Sequence, residues 1–131
     1  MANGLSDYLE NKILNLVLKN TAYTAPTSVY VSLHTADPTD AGSGAEVTTT
    51  GTAYVRQAAT FGTVANGSVT NSADILYPVA TANYGTVTHL AIWDAQSAGN
   101  MLFSGALSAS KIINSGDQFK IASGNLTITL D

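Results

Sequence analysis

With 131 residues the chain has the length of one ordinary domain, yet only 11% of them are charged, against about a quarter in a typical soluble domain. The net charge is −4 and the cations stand singly at Lys12, Lys19, Arg56, Lys111 and Lys120, which argues against direct nucleic-acid binding, where clustered cations displace counterions from phosphate. Cysteine is absent, which excludes disulfides and thiolate metal sites; no apolar run approaches the roughly 20 residues of a membrane span, and the opening MANGLSDYLENK lacks the pattern of a signal peptide.

Residues 1–4 are small and polar and read as a loose arm. A helix is expected from about residue 7 to about residue 19, because Asp7 with Glu10 three residues later resembles a capping box, with Ser6 as an alternative cap. At about 100° per residue, Leu5, Leu9, Ile13, Leu16 and Val17 gather on one side, a stripe expected to lie on a sheet or another helix. Leu14 and Leu18 project from nearly the opposite side, so the helix either tucks them under a loop or packs between subunits. Leu9, Ile13, Leu14, Leu16, Val17 and Leu18 are therefore the candidate assembly contacts. The arm and helix occupy 1–20, and TAYTAPT, with Pro26, connects them to a β-domain over 28–131.

Val29, Val31 and Leu33 alternate with Tyr30, Ser32 and His34, the two-residue period of a strand with one face on a core. Ala36-Asp37-Pro38 breaks that ladder and opens a long polar, flexible loop over 36–52 that reads as projecting. Asp37, Asp40 and Glu46 give the loop negative charge; turn chemistry accounts for such acids better than calcium, whose loops need alternating ligands. The chain returns as a strand over 53–63. Here Arg56, the chain's one arginine, carries a planar donor fork suited to a partly buried carboxylate or a row of loop carbonyls, so fastening the preceding loop is its expected role. Asn66-Gly67 marks a hairpin into Ser68, and Pro78 puts the strand over 73–80 at an edge.

Both faces of TVTHLAIWD, residues 86–94, are apolar, with Val87, His89, Ala91 and Trp93 on one side, so this is the expected central strand. A short turn joins it to Met101–Leu107 and on to Ile113, an antiparallel hairpin. Strands at 118–122 and from Leu126 to the last residue complete about eight, the rhythm of a mainly β, single-domain antiparallel sandwich or jelly roll with one N-terminal α-helix.

No P-loop, dinucleotide fingerprint, zinc-protease motif or nucleophile elbow is present, and no cofactor is expected. With two histidines, His34 and His89, and Asp94 and Asp117 in turns, the material for acid–base catalysis is thin, so an enzyme is not expected. Tyr23, Tyr30, Tyr54, Tyr77 and Tyr84 would serve a carbohydrate-binding surface if exposed, and core edges or subunit contacts otherwise.

One pattern is recognisable. Leu33-His34-Thr35-Ala36-Asp37-Pro38, followed by Tyr54, Arg56 and Gln57, resembles the signature of small virion proteins of tailed bacteriophages and prophages. The resemblance extends to SDYLENKIL from Ser6, THLAIWDA from Thr88, LFSGAL from Leu102 and the Lys111–Asp117 stretch, and departs at Thr48, Thr49 and Thr50, where the loop is often shorter. It implies a structural protein of the virion, assembled in the host cytoplasm. Two placements follow: a capsid decoration protein, trimeric on the lattice of the major capsid protein, or a tail, neck, baseplate or fibre subunit. Small size without a coiled-coil stalk favours decoration.

Overall fold

A computed structural model of the protein describes residues 2–130. Its elements run β1 (Ala2–Leu5), α1 (Asp7–Leu18), β2 (Val29–His34), β3 (Gln57–Ala59), β4 (Ser68–Thr70), β5 (Ile75–Leu76), β6 (Gly85–Trp93), β7 (Met101–Ile113), β8 (Lys120–Ile121) and β9 (Thr127–Thr129). Met1 of the expected arm and Asp131 of the last expected strand lie outside the described residues. The fold is mainly β and entirely antiparallel in its pairings, a sandwich with one helix near its N-terminus.

One layer is a five-stranded sheet in the order β1-β7-β6-β2-β3, with β6 in the middle. The other is made of two small ladders, β4-β9 and β5-β8. Val31 and Leu33 of β2 face the second layer beside Ile92 and Leu90 of β6, their register partners, and meet Ile75, Tyr77, Ile121, Leu126 and Ile128 in one buried cluster. Tyr77, wholly enclosed, spans the two layers: its hydroxyl donates to the Val31 carbonyl at 2.7 Å, so the ring fills the core without stranding its polar end.

Three departures from the expected pattern have local causes. The N-terminal residues are a strand and not a loose arm, because β7 is long enough to offer its outer edge to them, with Gly4 opposite Ser104 and Leu5 opposite Phe103. A register shift between Val87 and His89 puts Val87 in the main cluster with Leu90 and Ile92, although simple alternation sets it on the face of His89. A second shift beside Trp93 lets Leu102 and Phe103, neighbours in sequence, both pack against the main cluster.

The stretch over 53–63 is strand only at Gln57–Ala59, and the segment over 73–80 only at Ile75–Leu76, after which Pro78 lacks a donor for the ladder. Asn66 (φ 53°) and Gly67 (φ 71°) form the two-residue turn, with the Ala65 and Ser68 amides and carbonyls exchanging bonds at 3.0 Å. From that turn β4 goes on to pair with β9, and the Leu130 amide reaches the Gly67 carbonyl at 2.8 Å.

Gly67 and Gly124 are both left-handed, at φ 71° and 83°, but a Cβ on Gly67 would lie 2.5 Å from the Leu130 carbonyl oxygen while one on Gly124 would meet nothing within 4 Å. Gly124→Ala is therefore expected to cost about 1 kcal/mol and Gly67→Ala about 2–3 kcal/mol in urea unfolding. Equal losses would mean that the turn does not hold β9.

Candidate functional site around Arg56 and the bare apolar surfaces

The face of the large sheet turned away from the main cluster carries Ser32 and His34, which the alternation of β2 sets opposite Val31 and Leu33. Such residues would face water in a one-sided sheet, yet both are buried. The loop after β2 covers them. Thr35 donates its amide to the Ala45 carbonyl and Val47 its amide to the Leu33 carbonyl, both at 2.9 Å, and Pro38 and Val47 are enclosed. The loop expected to project is thus tied back to the sheet at Ala45 and Val47, while Thr48–Gly51 is an unbroken exposed run.

Under the loop runs a chain of hydrogen bonds. Trp93 Nε1 donates to Ser32 Oγ at 2.8 Å, Ser32 Oγ lies 2.7 Å from His34 Nε2, and His34 Nδ1 lies 3.1 Å from the Gly44 carbonyl. A carbonyl only accepts, so Nδ1 carries the proton and Nε2 accepts from Ser32, whose oxygen in turn accepts from Trp93. Burial lowers the pKa of His34, while the Gly44 carbonyl and the Glu46 charge pull it the other way and lose. His34 is accordingly neutral at pH 7, with both nitrogens bonded and none left for a substrate.

Arg56 closes the layer. Its Nε and one terminal nitrogen hold Glu46 bidentately at 2.9 and 2.8 Å; the other terminal nitrogen donates to the Ala95 and Ala98 carbonyls at 3.0 and 2.8 Å. The guanidinium stacks on Trp93, 3.8 Å from the ring centroid, and Arg56 is only 6% exposed. Tyr54 donates to the same carboxylate at 2.9 Å and accepts from the Leu33 amide at 3.1 Å, tying the pair to β2. One side chain therefore joins the loop after β2 to the turn after β6. Burial pushes the Glu46 carboxyl up, but the hydrogen bonds from Arg56 and Tyr54, with the guanidinium charge, outweigh it and leave the pKa below the usual carboxylate value. Tyr54 is raised by burial and by the Glu46 charge.

Ala98 holds φ 53° at the position that presents its carbonyl to Arg56, and Ala45, beside Glu46, holds φ 60°. Non-glycine residues held there cost about 1–3 kcal/mol each, so the clasp binds strained backbone. The acids considered for chemistry are spent locally: Asp94 accepts from the Asn100 amide at 2.7 Å, Asp117 from the Asn114 amide at 2.9 Å, and Asp37 from the Thr39 amide at 2.8 Å. Among the described residues no group of three or more His, Cys, Asp or Glu side chains is placed to hold a metal ion. His89 is half-buried, with Nδ1 2.8 Å from the Thr88 hydroxyl.

The helix gives the second kind of candidate surface. Ser6 caps it, accepting from the Leu9 amide at 3.2 Å and donating to the Met101 carbonyl, while Asn20, at φ 52°, ends it. Leu9 is buried in the chain's own core and is unavailable as an assembly contact; Ile13 is half-covered against the same cluster. Leu16 and Val17, expected on the sheet beside them, are exposed with Leu14 and Leu18, Val17 at 70% and Leu18 at 74%. The helix packs on the end of β7 with its first turns only, and its last two turns run past the edge. Sequence reasoning missed a further surface, an open groove of about 300 Å³ lined among others by Val29, Phe61, Val64, Val69, Phe103 and Leu130. Its residues come from five separate segments, and no local pattern announces it.

The sequence model of one protein family, described as podophage GP4 fiber I protein gp80, matches residues 4–129, from the first strand to the last. No curated protein matches the chain.

The two pKa shifts act in one direction. The unfolded chain takes up protons on His34 below its ordinary 6.5 and on Glu46 below its ordinary 4.5, before the folded chain does, so stability falls as pH drops through each range. Thermal melts from pH 8 to 3 are expected to show a two-step decline, with His34→Gln removing the upper step only. Arg56→Ala, which leaves Glu46 with the Tyr54 hydroxyl but no counter-charge and strips two carbonyls of their donor, is expected to cost about 3 kcal/mol at pH 7 and to lose most of the lower step. A decline unchanged in either variant would remove these residues from the pH response.

Proposed function

The chain belongs to the family of podophage GP4 fiber I protein gp80, and from that membership we propose that it is a structural subunit of a bacteriophage virion, working by adhesion and not by catalysis. The observation that carries the reading is the extent of the match, residues 4–129, which takes in the helix, the clasped loop and every sheet. Within the particle the family's description favours a fibre, or its attachment at the tail or neck, over decoration of the capsid lattice. The partners are copies of the same chain, in a trimer, and the tail or neck proteins on which the fibre is seated. The low charge supports the same reading, because neutral polar and apolar surfaces associate without the desolvation cost that buried ions carry. No cofactor and no nucleic acid enters this function.

Leu14 and Leu18 are exposed, so Leu14→Asp with Leu18→Asp is expected to leave the domain folded at a cost of about 1–2 kcal/mol, from lower helix propensity and two acids at the negative end of the helix. If both leucines are buried on assembly, each contributes about 1.5–3 kcal/mol, and sedimentation should show self-association weakened on the order of 10²-fold or more. A double variant that sediments as the wild-type oligomer would remove the helix from assembly. Quantitative mass spectrometry of purified particles tests the wider reading: tens of copies or fewer are expected for a fibre, hundreds would mean a capsid coat, and none would overturn it.

A further inference from the structure

The bare end of α1 and the bare groove are complementary in shape and alike in carrying no charge. One is a convex ridge formed by Leu14, Val17 and Leu18. The other is a concave apolar trough with room for bulky side chains. No charged residue lines the groove, and the stretch LNLVL that ends the helix carries no charge. Neither surface would gain by facing an ionic partner, and each loses apolar contact with water by meeting the other.

The two do not meet within one copy. Val64 in the groove wall is 70% exposed and Leu18 is 74% exposed, values that a helix lying in its own groove would not leave. Ser6 prevents the swing, since its amide is bound to the Leu102 carbonyl at 2.9 Å and its hydroxyl to that of Met101, so the helix leaves the sheet at a set point with its last turns outward. The connector then returns to Val29, itself a groove residue. The helix thus starts on Leu102 of the trough lining and the chain comes back to the trough at Val29.

Resting on the reading of the chain as a self-associating virion subunit, we propose that the end of α1 of one copy seats in the groove of a second copy, each donating a helix and receiving one. Size supports a copy of this chain as the occupant. On the donating side, of the eighteen residues from Asn11 to Ser28 only Ile13, Tyr23 and Pro26 are partly covered, which approaches the roughly 20–30 residues a side of a specific interface. When the helix is donated to one neighbour and received from another the contact is heterologous, so it continues from copy to copy until a ring closes, and a trimer is the smallest ring that does this without a twofold.

The cysteine-free chain makes the test direct. Leu18→Cys and Val64→Cys lie at exposed positions, and circular dichroism with thermal melting checks that each variant folds. Differently tagged L18C and V64C chains, mixed and mildly oxidised, are expected to give a disulfide-linked heterodimer at least tenfold in excess of either homodimer. Adding Leu14→Asp to the L18C chain should abolish it. L18C chains that cross-link among themselves as well as they do to V64C would mean that helices meet helices, and would overturn the proposal. An oligomer without the mixed cross-link would overturn it too, leaving the virion-subunit reading intact; the Val17→Cys and Leu130→Cys pair repeats the measurement at a second pair of positions on the same two surfaces. A strictly monomeric wild-type chain would sink the seating outright, while the particle copy number decides the broader reading separately.

Discussion

The bidentate pair between Arg56 and Glu46 is the constraint on which the far side of the large sheet depends. A sheet whose second face carries Ser32, His34 and Trp93 must either leave them to solvent or cover them with something that satisfies them, and here the cover is irregular chain. Loops make poor lids because their backbone groups need partners. The guanidinium supplies several at once: the carboxylate of Glu46 on one side, the Ala95 and Ala98 carbonyls on the other, and a flat face to rest on Trp93. Lysine could not replace it, since three donors around one point charge do not match that fork.

Desolvating the pair is tolerable only because nothing in it is left over. Glu46 receives Tyr54 as well as Arg56, Tyr54 accepts from Leu33, and among the described residues no buried side-chain nitrogen or oxygen lacks a partner. A half-satisfied network would cost more than an apolar layer of the same volume. The strained Ala98 and Ala45 fit the same view: their conformations are unfavourable alone and are held because the clasp needs the carbonyl and the carboxylate where they are.

Periodicity made β2, β6 and the first half of β7 legible, because each buries one face or both against the same cluster, and Asn66-Gly67 announced its turn through positive φ. The rest depended on pairing between distant residues. Nothing in ANGL reads as a strand; it becomes one because β7 lends it an edge. The shift at Thr88, which carries Val87 to the other face, is set by three extra residues in the opposite strand and leaves no mark in β6 itself. Arg56 was legible as a fork in need of acceptors, but its acceptors lie ten residues before it and about forty after it. Choosing Glu46 over Asp37 or Asp40 needs the path of the loop, and that path depends on the clasp.

The helix poses the remaining physical question, because a segment of twelve residues is marginal in water even with good propensities. Its first turn is well secured by the Ser6 cap and by Leu9 in the core. Its last two turns hold four apolar residues in solvent and carry no basic residue to offset the partial negative charge of the helix end. Burying Leu14, Val17 and Leu18 would stabilise those turns as well as whatever they touch, so helix order and association would be coupled: each copy that joined would lower the cost of ordering the end it received. A helix left half bare would thus be more completely ordered in company than alone, and the clasped face would stay out of that exchange because the buried polar side chains beneath its loop already have partners.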